Sequence, residues 1–150
     1  KSGDPLSVIA FDVDHFKTVN DTFGHDGGDL CLKQISALFR SACRPDDLCA
    51  RIGGEEFVFI LSTPTPDDAL SFAERLRARV SQFEFGEPNA PIGRLTISVG
   101  VTAIPRGSTI RFEDVYQLAD KALYTAKKTG RNRVINAANM TNISLAKRVA

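Results

Sequence analysis

The hydrophobic pattern of the chain changes its period several times, and these changes predict alternating strands and helices. Apolar runs rich in β-branched residues are typical of buried strands. Such runs occupy residues 5–13, 48–52, 57–61, 94–104 and 132–136. Between the second and third runs stands Gly53-Gly54-Glu55-Glu56, which predicts a hairpin turn joining two paired strands.

Three other segments repeat apolar residues every three or four positions, as amphipathic helices do. They lie within residues 30–42, 66–80 and 112–126. A short helical piece and a glycine-rich turn are predicted before the first of them, with Asp29 as its N-terminal cap, and Gly130 is predicted to close the last. Residues 88–93 predict a loop. Strands and helices in this order, with a central hairpin, predict an α+β domain of two layers.

Composition narrows the class of protein. The 150 residues suit one domain, and 19 basic against 18 acidic residues argue against a general binder of nucleic acid or acidic membranes. No apolar run approaches the roughly 20 residues that span a bilayer. The 3 cysteines include no Cys-x-x-Cys pair, so we expect no disulfide framework, no structural zinc and a cytoplasmic location. Because the chain begins at Lys1 rather than Met, we expect a longer parent protein.

Two pairs of acids stand where a cation site would be built. Asp12 and Asp14 end the first predicted strand, and a spacing of two places both side chains on one face. Glu55 and Glu56 lie in the hairpin turn, so the pairs meet at one sheet end if the hairpin flanks the first strand. Carboxylates without nearby His or Cys suit Mg²⁺. The alternative is that Asp14 caps a helix and the glutamates form a solvated turn.

Three basic residues complete the candidate chemistry. Lys17 follows the first acidic pair, and Lys127 and Arg131 mark the end of the last predicted helix. A divalent cation together with Lys and Arg is the arrangement that phosphoryl and nucleotidyl transfer uses. The alternative is a solvated helix end whose lysines match the helix dipole. The chain has no G-x-x-x-x-G-K-[ST] motif, which excludes a P-loop NTPase.

Three segments carry a family resemblance. FDVDHFKTVNDTFGHDGGD, GGEEF and AKKTGRN, in this order and spacing, closely resemble the GGDEF domain of diguanylate cyclases over residues 8–134. The resemblance implies a nucleotidyl-cyclase or palm-like (ferredoxin-like) fold with a central, mainly antiparallel sheet flanked by helices. It also implies that two GTP molecules condense into cyclic di-GMP with release of two pyrophosphates.

The resemblance assigns roles to individual residues. Its implied catalytic residues are Asp12, Glu55 and Glu56. Asp12 and Glu55, with the carbonyl of Val13, would hold Mg²⁺ or, in its place, Mn²⁺, and Glu56 would support metal and substrate. The implied substrate-binding residues are the guanine pair Asn20 and Asp29, the phosphate ligands Lys17, Lys127 and Arg131, and the turn glycines Gly53 and Gly54.

A further match concerns regulation and assembly. The sequence RPDD resembles the family's R-x-x-D inhibitory product site, with Arg44 and Asp47 at its ends and Arg75 as an additional arginine. A charged loop and a solvated helix face are the alternative. The family's chemistry implies GTP and cyclic di-GMP as small-molecule partners, and a second GGDEF domain in a homodimer during catalysis. No nucleic-acid partner is expected.

The domain is expected to occupy residues 1–136, with residues 137–150 as a tail or linker. The family's usual opening helix and its D-x-L-T…N-R segment do not precede the first strand here, and the parent protein's N-terminal region could carry a membrane anchor. Besides an active cyclase, two readings stay open: a receptor that binds GTP or cyclic di-GMP without turnover, and another nucleotide-cyclising enzyme of palm-like fold. The complete set of signature acids and glycines favours the cyclase.

Overall fold

A computed structural model describes residues 5–62, 65–104 and 107–140. Within these ranges the chain forms seven strands and three long helices, and residues 137–140 are helical as well. The strands are β1 (Leu6–Val13), β2 (Leu48–Arg51), β3 (Glu56–Ser62), β4 (Phe85–Glu87), β5 (Ala90–Gly93), β6 (Ile97–Ile104) and β7 (Val134–Asn136). The helices are α1 (Phe16–Ala42), α2 (Pro66–Gln82) and α3 (Phe112–Lys128). The five strands and the long helices predicted from the sequence are all present.

β1 is the central strand of a five-stranded sheet with the order β2-β3-β1-β6-β7. It pairs antiparallel with β3 and with β6, β2 is antiparallel to β3, and β7 runs parallel to β6. The apolar run of β1 is nearly uninterrupted because this strand has neighbours on both edges and helices on both faces. The α+β class and the mainly antiparallel central sheet are confirmed.

Helices cover both faces of the sheet. α1 and α2 pack on the face of Ile9 and Phe11, where the rings of Phe11 and Phe39 lie 4.4 Å apart between centroids. α3 packs on the opposite face, against Val8 and Ala10. The sheet therefore lies between two helical layers, where the sequence predicted two layers in all. Both faces of β1 carry apolar side chains, so each face must be covered by helices to exclude water.

The helical region after β1 differs from the prediction. α1 is one element of 27 residues, interrupted at Gly24, whose φ of 76° and ψ of 173° are not helical. Asp29 lies inside the second segment, so its predicted role as a cap is wrong. The break falls instead at a glycine, which adopts positive φ without a steric penalty. His15, with φ 56°, occupies the cap position before the first segment.

A small hairpin was missed between α2 and β6. β4 and β5 pair with each other, and the side chain of Gln34 on α1 holds them by two hydrogen bonds of 2.9 Å to the backbone of Gly86. Two strands this short, rich in Pro and Gly, carry no periodic signal, so the sequence predicted only a loop. α2 begins at Pro66, as expected. Thr65 is its N-terminal cap, and the side chains of Thr65 and Asp68 form a capping box.

Some predictions fall on residues that the structure does not describe. These are residues 1–4 of the predicted domain, residues 63–64 of the loop before α2, and residues 141–150 of the predicted tail. Ala137, the first residue of that tail, is buried. Among the described residues, no helix combines the length and hydrophobicity that crossing a membrane requires.

Candidate active site

The β2–β3 turn brings the two pairs of acids to one end of the sheet. Asp12 pairs with Glu56 across the β1–β3 ladder, and the N–H of Val13 donates to the carbonyl of Glu55 at 3.4 Å. Asp12 and Glu55 therefore meet at the C-terminal end of β1. Asp14 does not join them, because its oxygens accept hydrogen bonds from groups beside β6 and after α3.

The carboxylate of Asp12 is buried and only partly neutralised. Its Oδ2 lies 2.5 Å from Nζ of Lys127 on α3, while its Oδ1 is buried and has no hydrogen-bond partner among the described residues. Burial raises the pKa of Glu55; the negative charge of Asp12 adds to the rise and the ammonium of Lys127 opposes it. Two converging acids thus share one lysine, an arrangement that attracts a further cation.

These residues fit a divalent cation that takes oxygen ligands. The unpartnered Oδ1 of Asp12 and the crowded carboxylate of Glu55 are the donors that Mg²⁺ prefers. In the described part of the chain, no three side chains of His, Cys, Asp or Glu come together as a metal cage. The remaining ligands would therefore be backbone, water or substrate oxygens, as is usual for Mg²⁺ in nucleotide-binding sites.

The side chain of Glu56 forms a hydrogen bond with α3 rather than with Asp12. Its Oε1 accepts a hydrogen bond of 2.5 Å from the hydroxyl of Tyr116, a contact across 60 residues of sequence. Burial and this hydrogen bond both raise the pKa of Tyr116. The phenol therefore stays protonated and keeps donating to Glu56 throughout the neutral range.

The glycine turn is open on its outer side. Gly53 has φ 107°, which favours glycine, and a Cβ added at Gly53 or Gly54 would meet no protein atom within 4 Å. The side chain of Arg51 holds the turn, since its Nε donates to the carbonyls of Gly53 and Gly54 at 3.1 and 3.0 Å. The resemblance implies that these glycines contribute to substrate binding, and no described protein atom occupies the positions that side chains would take there.

The predicted guanine residues lie on the two segments of α1. Asn20 is half-buried before the Gly24 break, and Asp29 is exposed after it. A Cβ at Gly28 would collide with the side-chain amide of Asn20, so these two positions are in direct apposition. The break in α1 thus brings Asn20 next to the residue that precedes Asp29. Lys17 is exposed in the first turn of the same helix.

Arg44 and Arg75, predicted to bind product, line one cavity of about 640 Å³ between the end of α1, β3 and α2. Arg79 lines it as well. The guanidinium of Arg44 donates to the carbonyl of Ser62 at 2.8 Å, and its Nε lies 3.4 Å from the carboxylate of Asp47. The side chain of Asp47 is 1% exposed and accepts from the backbone N–H of Arg44, so it braces this loop.

Comparison with known protein families identifies the family of this chain. The model of the family described as diguanylate cyclase, GGDEF domain, matches residues 1–133. The chain belongs to the GGDEF domain family. Its signature acids, its glycine turn and the end of α3 are the parts that the structure gathers at one end of the sheet.

Curated relatives of this GGDEF domain are longer proteins. It is 42% identical over 132 residues to a probable diguanylate cyclase, DgcT, of Escherichia coli, covering 87% of this chain and 29% of that protein. It is 41% identical over 134 residues to the diguanylate cyclase DosC of the same organism, covering 89% of this chain and 29% of that protein. The chain therefore spans 29% of the length of each.

Solved GGDEF structures confirm the fold. The active GGEEF domain of a diguanylate cyclase from Vibrio cholerae matches with a TM-score of 0.80 and 38% identity, covering 89% of this chain and 83% of that one. The GGDEF domain of DgcB from Caulobacter crescentus, solved in complex with c-di-GMP, matches with a TM-score of 0.83 and 33% identity. That match covers 91% of this chain and 80% of the other.

Several residues around the GGDEF site were not singled out from the sequence. Tyr116 lies outside the matched motifs, and nothing local to α3 indicates its bond to Glu56. Arg79 had a usable signal, because it follows Arg75 by four positions and so shares its helix face. The hydrogen bonds of Asp14 depend on pairing between distant strands, which its own sequence neighbours do not reveal.

Proposed function

We propose that this GGDEF domain condenses two molecules of GTP into cyclic di-GMP and releases two pyrophosphates. The observation that carries the proposal is the buried carboxylate of Asp12 beside Glu55 and an open glycine turn. Its Oδ2 contacts Lys127, and its Oδ1 has no hydrogen-bond partner in the described part of the chain. The diguanylate cyclases among its relatives support the reaction and its cyclic product.

Asp12, Glu55 and the carbonyl of Val13 would hold Mg²⁺ or Mn²⁺. Bound there, the ion would neutralise phosphate charge and favour attack by a 3′-hydroxyl on an α-phosphate. Lys127, which is paired with Asp12, would also bind a phosphate oxygen. Glu56, fixed by Tyr116, supports metal and substrate at the same end of the sheet.

The remaining groups bind the nucleotide. Lys17 and Arg131 take phosphate oxygens, with the open turn at Gly53 and Gly54 leaving space for the triphosphate. Asn20 and Asp29 read guanine, whose N1–H and exocyclic amine suit a carboxylate and an amide acceptor. Adenine has no N1–H and carries its amine at a different ring position, so it would leave polar groups of the site unpaired.

The reaction needs two domains. One site positions one GTP, and each 3′-hydroxyl must attack the α-phosphate held by the other site. Two copies of the chain therefore face each other with their GGEEF turns apposed, in a homodimer that forms during catalysis.

Product binding at a second place would regulate this encounter. Arg44, Arg75 and Arg79 bring three guanidinium groups to one cavity, and guanidinium groups bind phosphate and guanine edges through paired hydrogen bonds. Cyclic di-GMP in this cavity would hold the domain in an arrangement where the two active sites cannot meet.

Incubation of the chain with GTP and Mg²⁺, followed by separation of the nucleotides, tests the proposed reaction. Cyclic di-GMP should appear with GTP and not with ATP, and a chelator should stop its formation. Binding of GTP without any conversion would instead support a receptor, and the cyclase assignment would be abandoned.

A further inference from the structure

One buried carboxylate ties the loop after α3 to the central strand. Asp14 is 5% exposed and accepts three hydrogen bonds: from Thr96 Oγ1 at 2.6 Å, from Ser98 Oγ at 2.6 Å and from the backbone N–H of Asn132 at 3.0 Å. Thr96 immediately precedes β6, Ser98 lies in it, and Asn132 belongs to the loop. Asp14 therefore joins the strand that carries Asp12 to the loop that carries Arg131.

The loop has an unusual backbone that needs such support. Arg131 and Asn132 have φ of 62° and 44°, a left-handed conformation that non-glycine residues seldom adopt. The N–H of Arg131 donates to the carbonyl of Ala126 at 2.9 Å, and the side chain of Asn132 accepts from Arg77 on α2 at 2.8 Å. With the bond to Asp14, both left-handed residues are anchored to the surrounding fold.

We propose that Asp14 is a positioning residue for nucleotide binding. By holding the backbone of Asn132 it keeps the loop in the conformation that presents Arg131 to the phosphates. This inference rests on the proposed function, because the phosphate role of Arg131 belongs to that proposal. Asp14 itself touches neither nucleotide nor metal in this scheme.

The carboxylate can be altered in graded steps. Asp14→Ala removes the acceptor of the loop N–H. Asp14→Asn keeps an oxygen for Asn132 and can donate its amide to Ser98, but the acceptor is neutral and the bond weaker. Ser98→Ala removes a different donor from the same carboxylate and leaves the loop bond in place, so it is the matched control.

The test measures affinity for α,β-methylene-GTP with Mg²⁺ by titration calorimetry. We expect Asp14→Ala to weaken binding about tenfold, Asp14→Asn about threefold, and Ser98→Ala by less than about twofold. In an Arg131→Ala background, Asp14→Ala should add less than about twofold, because its effect passes through Arg131. An Asp14→Ala variant that binds the analogue as tightly as the unaltered chain overturns the inference. The inference is also overturned if Asp14→Ala weakens binding as much in the Arg131→Ala background as in the unaltered chain.

A second measurement separates the inference from the proposed function. Hydrogen exchange of the Asn132 amide in the nucleotide-free chain should accelerate in Asp14→Ala and stay unchanged in Ser98→Ala. If Asp14→Ala does not fold, Asp14→Asn takes its place, with the same pattern and smaller changes. Failure of the unaltered chain to bind the analogue overturns the proposed function as well, whereas unchanged exchange at Asn132 overturns the role of Asp14 alone.

Discussion

At the scale of single residues, the site is organised around charge that the protein does not balance. Asp12 shares Lys127 with Glu55, and one of its oxygens is buried without a hydrogen-bond partner among the residues that the structure describes. Burial of a charged group without compensation is costly, and proteins accept that cost mainly where a ligand will complete the site. Burial and the negative charge of Asp12 raise the pKa of Glu55.

Glu55→Gln keeps the shape of the side chain and removes its charge. Because a preorganised electrostatic group is lost, we expect Mg²⁺-dependent formation of cyclic di-GMP to fall by about 10²–10³ while the fold persists. Glu87→Gln, at an exposed acid on β4, is the control and should keep full activity. Undiminished synthesis by a folded Glu55→Gln chain would remove Glu55 from the site.

The raised pKa of Glu55 also predicts how stability depends on pH in the presence of a chelator. A carboxyl whose folded-state pKa exceeds its unfolded value, about 4.3 for Glu, is better accommodated protonated. Its favourable contribution is present at low pH and is lost as pH rises from that value through the folded-state pKa.

Denaturant unfolding of the unaltered chain and of Glu55→Gln measures this contribution together with its coupling to Asp12 and Lys127, because titrating groups that do not interact with Glu55 cancel in the difference. Relative to the unaltered chain, Glu55→Gln should become more stable as pH rises from about 4 to 7. A stability difference that does not change with pH would show that the site does not disfavour the charge of Glu55.

At the scale of elements, features with local sequence signals could be predicted, and features that depend on long-range pairing could not. The turn at Gly53 and the end of α3 carry strong local motifs, and both were placed correctly. The β4–β5 hairpin and the contacts of Asp14 were not predicted, because partners far away in sequence decide them. The helix start was expected at Asp29, whereas the break in α1 falls at Gly24. Tyr116 likewise reaches Glu56 only through the packing of α3 on the sheet.

Substitutions in the cavity between α1, β3 and α2 should weaken product binding without changing the rate of the reaction. Arg75→Ala removes a guanidinium that lines the cavity from α2, whereas Arg44→Ala also removes the bond to the Ser62 carbonyl. Both variants should weaken cyclic di-GMP binding by at least about tenfold, since charge-assisted hydrogen bonds are lost. Initial rates with GTP should change little, because neither residue belongs to the proposed active site.

Progress curves with added product check this prediction, and Arg94→Ala, at an exposed arginine elsewhere on the surface, serves as the control. Inhibition of Arg75→Ala and Arg44→Ala at the same product concentration as the control would leave the cavity without a regulatory role.

At the scale of the whole molecule, the proposed reaction uses one nucleotide site per chain, so it requires two chains to meet for each product. Specific activity should therefore rise with protein concentration across the range in which dimers form. Rates measured over a dilution series, together with molar mass from light scattering, check this. Activity per chain that stays constant on dilution of a monomer would contradict a two-domain reaction.

The most direct test of the account follows the whole reaction in one sample. GTP consumed, pyrophosphate released and cyclic di-GMP formed are quantified together, with Mg²⁺ and with a chelator. The account predicts two GTP consumed and two pyrophosphates released for each cyclic di-GMP, and no conversion with the chelator. Pyrophosphate release without the cyclic dinucleotide, or GTP that is bound and never converted, would contradict it.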